Sequence, residues 1–186
     1  CNTSAIAVDL VSNKEATKQL LRNSMIPVAD GGVCTDESGL KSIIERTGFP
    51  IVIKPLRGNQ GKSATIHILN WNEAVSALNL ALQFGKHVLV EKFVSGHDFR
   101  LLVINNKFVA AAKRIPAQVI GDGKLTIEQL IEEVNSDPKR GHGHQMSLTK
   151  IIVDQDTLNL LKKRRLSLIS IPKNGIVVAL KSTANL

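Results

Sequence analysis

IVIKPLRGNQGKSATIHIL, residues 51–69, is two β-rich runs held apart by a glycine-rich loop. Pro50 returns the chain to extended backbone, and the branched residues of 51–55 and 64–69 predict two strands joined as a hairpin with a long tip. Gly61-Lys62-Ser63 invites a phosphate-loop reading, but that motif needs a glycine at position 56, which is Leu56. The loop also joins two strands instead of opening a helix, so no helix N-terminus is on offer to a phosphate. What remains is a flap of Gly58, Asn59, Gln60 and Gly61 whose amides can fold over phosphates as an anion nest, with Lys62 adding charge. Taken alone, a plain surface hairpin is the better reading of that loop. Lys54 interrupts an apolar strand, where a lysine costs desolvation free energy unless an anion meets it. The alternative is an ordinary edge-strand lysine.

Working outward, Ser12 and Glu15 form a capping-box pattern before an amphipathic stretch with Ala16, Leu20 and Leu21, ending near Asn23. Residues 26–34 read as short and extended, and 36–47 as a helix stopped by Gly48. Beyond the hairpin, Asn70 or Asn72 caps a helix to about Phe84, and HVLVEKFV (87–94) is a strand. RLLVINNKFVAAAKR (100–114) is a hairpin about Asn105-Asn106, a pair that tolerates positive φ. Thr126 with Gln129 opens a helix to about Asn135, and 136–150 is a polar, basic, glycine-punctuated loop. Asp154 starts a last helix that ends in the run 162–165, and 175–180 is a final strand. Helices alternate with antiparallel strands without a regular βαβ rhythm, so the fold class is α+β, in two small lobes, with no internal repeat.

Other charged positions invite both functional and bland readings. Glu91-Lys92 closes an apolar run, where a strand edge plus a carboxylate can read an adenine and a ribose; the alternative is a surface ion pair. Asp98, Arg100, Lys113 and Arg114 lie on or beside the 100–114 hairpin, with Asp98 and Arg100 on one face by alternation. Two arginines there can clamp phosphates and stabilise charge on a transferring phosphoryl group, or merely decorate a solvated face. His142-Gly143-His144 has no third ligand nearby, so it reads as a loop approaching a substrate and not as a zinc site. The run 162–165 reads as a solvated helix end and not as a nucleic-acid patch.

Length and 43% hydrophobic residues suit about one domain with a real core. Two cysteines are too few for a disulfide framework, which fits a reducing cytoplasm. No apolar run approaches the roughly 18 residues of a membrane span, and no secretion signal is evident. The Cys1 start and Leu186 end read as the bounds of a piece of something longer. A net charge of +8 asks for an anionic partner, whether nucleic acid, nucleotide or acidic polymer. With 3% aromatic residues and no Tyr, stacking residues for single-stranded nucleic acid are scarce.

In their order, these pieces resemble the ATP-grasp ligase domain of cyanophycin synthetases over nearly the whole chain. The similarity runs through 3–21 as an entry helix, 51–68 as the nucleotide-covering hairpin, 88–116 as hinge and clamp strands, and 119–151 as the long substrate-side loop. The resemblance implies an ATP-grasp fold of two α+β lobes clasping ATP, a nucleotide-covering lobe at about 14–95 and a C-terminal lobe at about 96–186, incomplete at its end. It implies that Lys54 and Lys14 meet the ATP phosphates or the ring, with Gly58, Asn59, Gln60, Gly61 and Lys62 covering them. Glu91, Lys92, Phe93 and Val94 would line the adenine, and Asp98 would meet the ribose. Arg100 and Arg114 would steady the phosphates and an acyl phosphate; His97, Arg140 and His144 would face substrate; Asn185 would bind Mg2+. Departures are Lys181, where the family tends to have arginine, and Ser63-Ala64, where glycine and valine are usual.

The same resemblance implies a cytoplasmic enzyme whose full-length form is a homo-oligomer with an N-terminal region and a Mur-ligase-like domain. Its partners would be an acidic poly-aspartate or cyanophycin primer and aspartate, with neither nucleic acid nor membrane involved. The primer's carboxylate would become an acyl phosphate that aspartate's amine attacks. Rivals are the ATP-grasp part of bifunctional glutathione synthetases, which shares the pattern of 121–144, and a non-catalytic basic binding module.

Overall fold

A computed structural model describes residues 3–57, 64–142 and 146–184, which fall into two compact units, Cys1–Gly96 and His97–Leu186. The first unit runs α1 (Ala5–Ser12), α2 (Lys14–Asn23), β1 (Gly31–Cys34), α3 (Glu37–Thr47), β2 (Ile51–Pro55), β3 (Thr65–Ile68), α4 (Trp71–Leu82) and β4 (Val88–Lys92). Its four strands form one antiparallel sheet in the order β1-β4-β2-β3.

Local chemistry explains the helices. Asp36 accepts the Gly39 amide at 2.8 Å to start α3, and Gly48 ends it at φ 64°, where a side chain would be strained. Asn70, not Asn72, caps α4 by accepting the Glu73 amide at 3.0 Å. The helix expected from Ser12 starts one residue later. Ser12 donates its hydroxyl to Val8 inside α1, while Asn13 Oδ1 accepts the Glu15 and Ala16 amides and so caps α2. Both residues are good caps, and the preceding helix α1 has already taken Ser12.

Alternation in β2 turns Ile51, Ile53 and Pro55 to one face and Val52 and Lys54 to the other. The first face joins Leu40 and Ile43 of α3, Leu78 of α4, and Val88 and Val90 in a closed core. Ala74, Ala77 and Ala81 let α4 lie close against the sheet. Each large aliphatic side chain so buried contributes about 1.5–3 kcal/mol. The opposite face carries the chemistry described below.

In the second unit, β5 (Asp98–Ile104) and β6 (Lys107–Arg114) form the expected hairpin, with Asn105 and Asn106 at φ 49° and 60°. Next come β7 (Gln118–Ile120), α5 (Ile127–Asn135), β8 (Arg140–Gly141), β9 (Leu148–Thr149), α6 (Gln155–Lys163) and β10 (Val177–Ala179). β10 pairs antiparallel with β7. Thr126 and Gln129 complete a capping box, and Asp154 caps α6. The segment expected to be a plain loop contains the short parallel pairing of β8 with β9. Its exit is fastened by Asn135, whose amide both donates to the Ile151 carbonyl at 2.9 Å and accepts the Ile151 amide at 2.7 Å. Val119, Ile127, Leu130, Ile131, Leu161, Val178 and Leu180 form this unit's core. Among the described residues no helix is long and apolar enough to cross a membrane.

Candidate functional site

The second face of the first unit's sheet carries a buried carboxylate surrounded by lysines. Register sets it: Val52 lies opposite Glu91 and Lys54 opposite Leu89, so Lys54 and Glu91 are diagonal neighbours on one face. Lys54 Nζ forms an ion pair with Glu91 Oε2, and Lys18 Nζ, from α2, stands 2.9 Å from Oε1. Glu91 and Lys18 are buried, at 8% and 7% exposure. One turn earlier on α2, Lys14 donates to the Pro55 and Leu56 carbonyls at 3.1 and 3.2 Å, at the point where β2 gives way to the glycine loop.

The electrostatics are lopsided. Burial alone would push the Glu91 carboxyl up, yet the hydrogen bonds and charges of Lys54 and then Lys18 hold it below the ordinary carboxylate value. Lys14 is lowered by its own burial and then by repulsion from Lys54, against a smaller opposing pull from Glu91. A second carboxylate, Glu15, stands 4.0 Å from Lys18. Among the described residues, three ammonium groups and two carboxylates gather, partly desolvated, where β2 ends, an arrangement chemically suited to a phosphate.

This arrangement corrects two expectations. Glu91 is neither a surface residue nor a partner of Lys92; its charge is already taken by Lys54 and Lys18. The strand is not an edge either, because Glu91 pairs with Gly31 on one side and Val52 on the other. At the end of β4 the Lys92 amide donates to the Asp30 carbonyl at 2.7 Å, and just beyond it the Phe93 amide donates to the Pro50 carbonyl at 2.9 Å, while Lys92 Nζ donates to the Phe49 carbonyl at 2.7 Å. Phe93 is half-buried, edge-on to His67 with centroids 4.9 Å apart, and Val94 is exposed. Lys18 is the member that sequence reasoning missed; its signal is the four-residue spacing from Lys14, which puts both on one face of α2.

In the second unit, β5 and β6 put Asp98 opposite Arg114 and Arg100 opposite Ala112. Arg114 Nη1 stands 3.3 Å from Asp98 Oδ2, and its Nη2 donates to the Ala184 carbonyl at 2.7 Å, reaching the residue next to the candidate metal ligand Asn185. Arg100 is exposed, and His97 is edge-on to Phe99 at 6.3 Å. Arg140 donates to the Thr149 carbonyl at 2.7 Å, tying the ends of its loop together. Gly58, Asn59, Gln60, Gly61, Lys62, His144 and Asn185 lie outside the described residues.

Residues 11–123 match the RimK-like ATP-grasp domain family. The chain is 45% identical over 185 residues to the cyanophycin synthetase of Trichormus variabilis, covering 99% of this chain and 20% of that protein. It is 36% identical to the bifunctional glutathione biosynthesis protein of Listeria innocua, covering 97% of this chain and 24% of that one. The crystal structure of a bifunctional glutathione synthetase from Pasteurella multocida superposes with a TM-score of 0.57 at 28% identity, over 100% of this chain and 25% of that one. The chain thus spans about a fifth of the length of the curated cyanophycin synthetase it matches.

Proposed function

This chain belongs to the RimK-like ATP-grasp domain family, and from that premise we propose that it is the ATP-dependent ligase part of a cyanophycin synthetase, joining aspartate to the C-terminal carboxylate of a poly-aspartate primer. The observation that carries the reading is the gathering of Lys54, Lys18 and Lys14 around Glu91 and the end of β2, from which the glycine loop departs. Identity of 45% to a cyanophycin synthetase, against 36% to a glutathione-forming relative, favours the first chemistry over the second.

In this reading Lys14 and Lys54 hold the nucleotide's phosphates, and Phe93 and Val94 flank its base. Glu91 tethers Lys54 and Lys18 so that the cations are placed before the nucleotide arrives. Asp98 exchanges its contact with Arg114 for the ribose, which frees a guanidinium nitrogen for phosphate oxygens. A primer carboxylate oxygen attacks the γ-phosphorus, the bond to the bridging oxygen breaks, and ADP leaves with the electron pair. The amine of aspartate then attacks the acyl carbon, loses a proton and expels phosphate. Arg100 and Arg114 offset the charge that builds on the transferring group. Magnesium, with Asn185 as its proposed protein ligand, would neutralise phosphate oxygens.

The test is calorimetric titration of the chain with a non-hydrolysable ATP analogue and magnesium, beside a Lys54→Ala, Arg100→Ala double variant. Micromolar binding that the double variant loses is expected. Undiminished binding in a folded variant, or none in the folded parent chain, would sink the assignment.

A further inference from the structure

The end of α6 carries four consecutive cations, Lys162, Lys163, Arg164 and Arg165, all exposed. Among the described residues none of the four has an ion-pair partner, whereas Lys18, Arg22, Lys54, Arg57, Arg114 and Lys181 each have at least one. The helix dipole favours cations in the last turn, which accounts for Lys162 and Lys163 but fades beyond it. Arg164 is the cap residue and Arg165 lies outside the helix.

The turn that holds them is firmly built. The Arg165 amide donates to the Lys162 carbonyl and the Leu166 amide to the Leu161 carbonyl, each at 2.9 Å, the bonding pattern of a Schellman turn. Leu161 is in the core, and Leu166 and Leu168 pack against it, so the chain is anchored on both sides of the charges. Arg165 occupies the left-handed position at φ 57°, where glycine is the default. α2 ends in the same turn with Met25 at φ 57°, so the conformation alone signals nothing. What differs is that this turn carries four charges of one sign on consecutive residues of a fixed backbone.

We propose that this turn is an anchoring site for an extended acidic peptide, a polycarboxylate chain, bound through Lys162, Lys163, Arg164 and Arg165. The choice of polymer rests on the function proposed above, whose substrate is such a chain; the site itself does not depend on ATP. A polycarboxylate is favoured over nucleic acid because none of Phe, Trp or His occurs anywhere in 155–171 to stack on a base.

Fluorescence anisotropy of a labelled oligo-aspartate peptide on the full chain tests this. Changing Lys162, Lys163, Arg164 and Arg165 together to Gln is expected to weaken peptide affinity about tenfold, since each exposed charge pair contributes little by itself. Arg165→Gly is expected to weaken it about twofold while raising Tm, because strain is relieved. Met25→Gly, the control, should raise Tm and leave peptide binding unchanged. Affinity for the ATP analogue should be the same in all of these variants. Undiminished peptide binding in the fourfold variant overturns the proposal, and so does a single-stranded oligonucleotide of equal charge that binds as tightly and loses as much. A chain that shows the expected peptide behaviour but no ATP-analogue binding would retain the anchoring site and lose the ligase reading.

Discussion

Each unit places a lysine against a carboxylate, and the two pairs differ in how completely they close. In the second unit, Lys181 pairs with Asp154, whose other oxygen accepts the Thr157 amide and hydroxyl at 3.0 Å as the cap of α6. Burial would raise the Asp154 carboxyl, but Lys181 and Thr157 bring it down to about 2. One cation, one anion and a helix terminus satisfy one another. In the first unit, Glu91 is shared by Lys54 and Lys18, with Lys14 held nearby on the carbonyls of Pro55 and Leu56. There, among the described residues, three ammonium groups gather with two carboxylates. In the reading proposed above, the contrast is that between a structural ion pair and a place where several cations gather to receive an anionic guest.

The largest effect that would test this contrast is the loss of Glu91. Glu91→Gln leaves Lys18 buried with Glu15 as its remaining carboxylate, at 4.0 Å. Breaking such a pair on one side costs about 3 kcal/mol. Trp71 is the only tryptophan and opens α4, so its fluorescence in urea follows the first unit by itself. The ATP analogue should restore part of the lost stability, since phosphates favour the folded form that binds them. A loss below about 1 kcal/mol would mean that the cluster is as solvated as a surface pair, and the contrast would collapse.

How far these sites were legible follows from which interactions are local. The Asn105-Asn106 turn, the Thr126–Gln129 box and the Asp154 cap each depend on a few adjacent residues, and each forms as read. Lys54 advertised a need for an anion through its apolar neighbours, and an anion is there. That the first anion is Glu91 depends on strand register, which couples residues 37 apart and leaves no local trace. The same non-local pairing puts β4 inside the sheet, where its apolar run alone allowed an edge. Lys18 was hidden because a lysine four residues after another on a helix ordinarily marks a solvated face. Only the approach of α2 to the sheet buries it.

Of intermediate size is the effect at Asp154. Asp154→Ala removes both cap and charge and should cost about 1 kcal/mol in the second unit. Asp154→Asn keeps a good cap and separates the two contributions. Because the folded carboxyl sits at about 2, below its ordinary 3.8, its charge stabilises the fold above the higher value and ceases to as pH falls through the lower one. Acid unfolding followed by hydrogen exchange in α6 should therefore show a steeper loss between those values in the parent than in Asp154→Asn. Equal slopes would mean that the Lys181 contact contributes nothing, and the second unit would no longer serve as the balanced case.

The smallest effect is at Lys14, and it bears most directly on the guest. Burial, and then the charge of Lys54, depress its ammonium below the ordinary 10.5, so the folded state disfavours the charged form. That penalty is present wherever Lys14 is protonated in both states and is relieved as pH rises through the depressed value. A bound phosphate does the reverse, because it stabilises the ammonium. Affinity for the ATP analogue should thus be greatest while Lys14 is charged and should decline on the alkaline side, starting below 10.5. Lys14→Arg keeps its charge across that range, so the decline should flatten, while affinity near neutrality changes by roughly threefold or less. If parent and variant decline together, Lys14 lies outside the field of the bound anion. What remained around Glu91 would then be Lys54 and Lys18 with Glu91 and Glu15, two charges of each sign, and the first unit's cluster would be as closed as the second's.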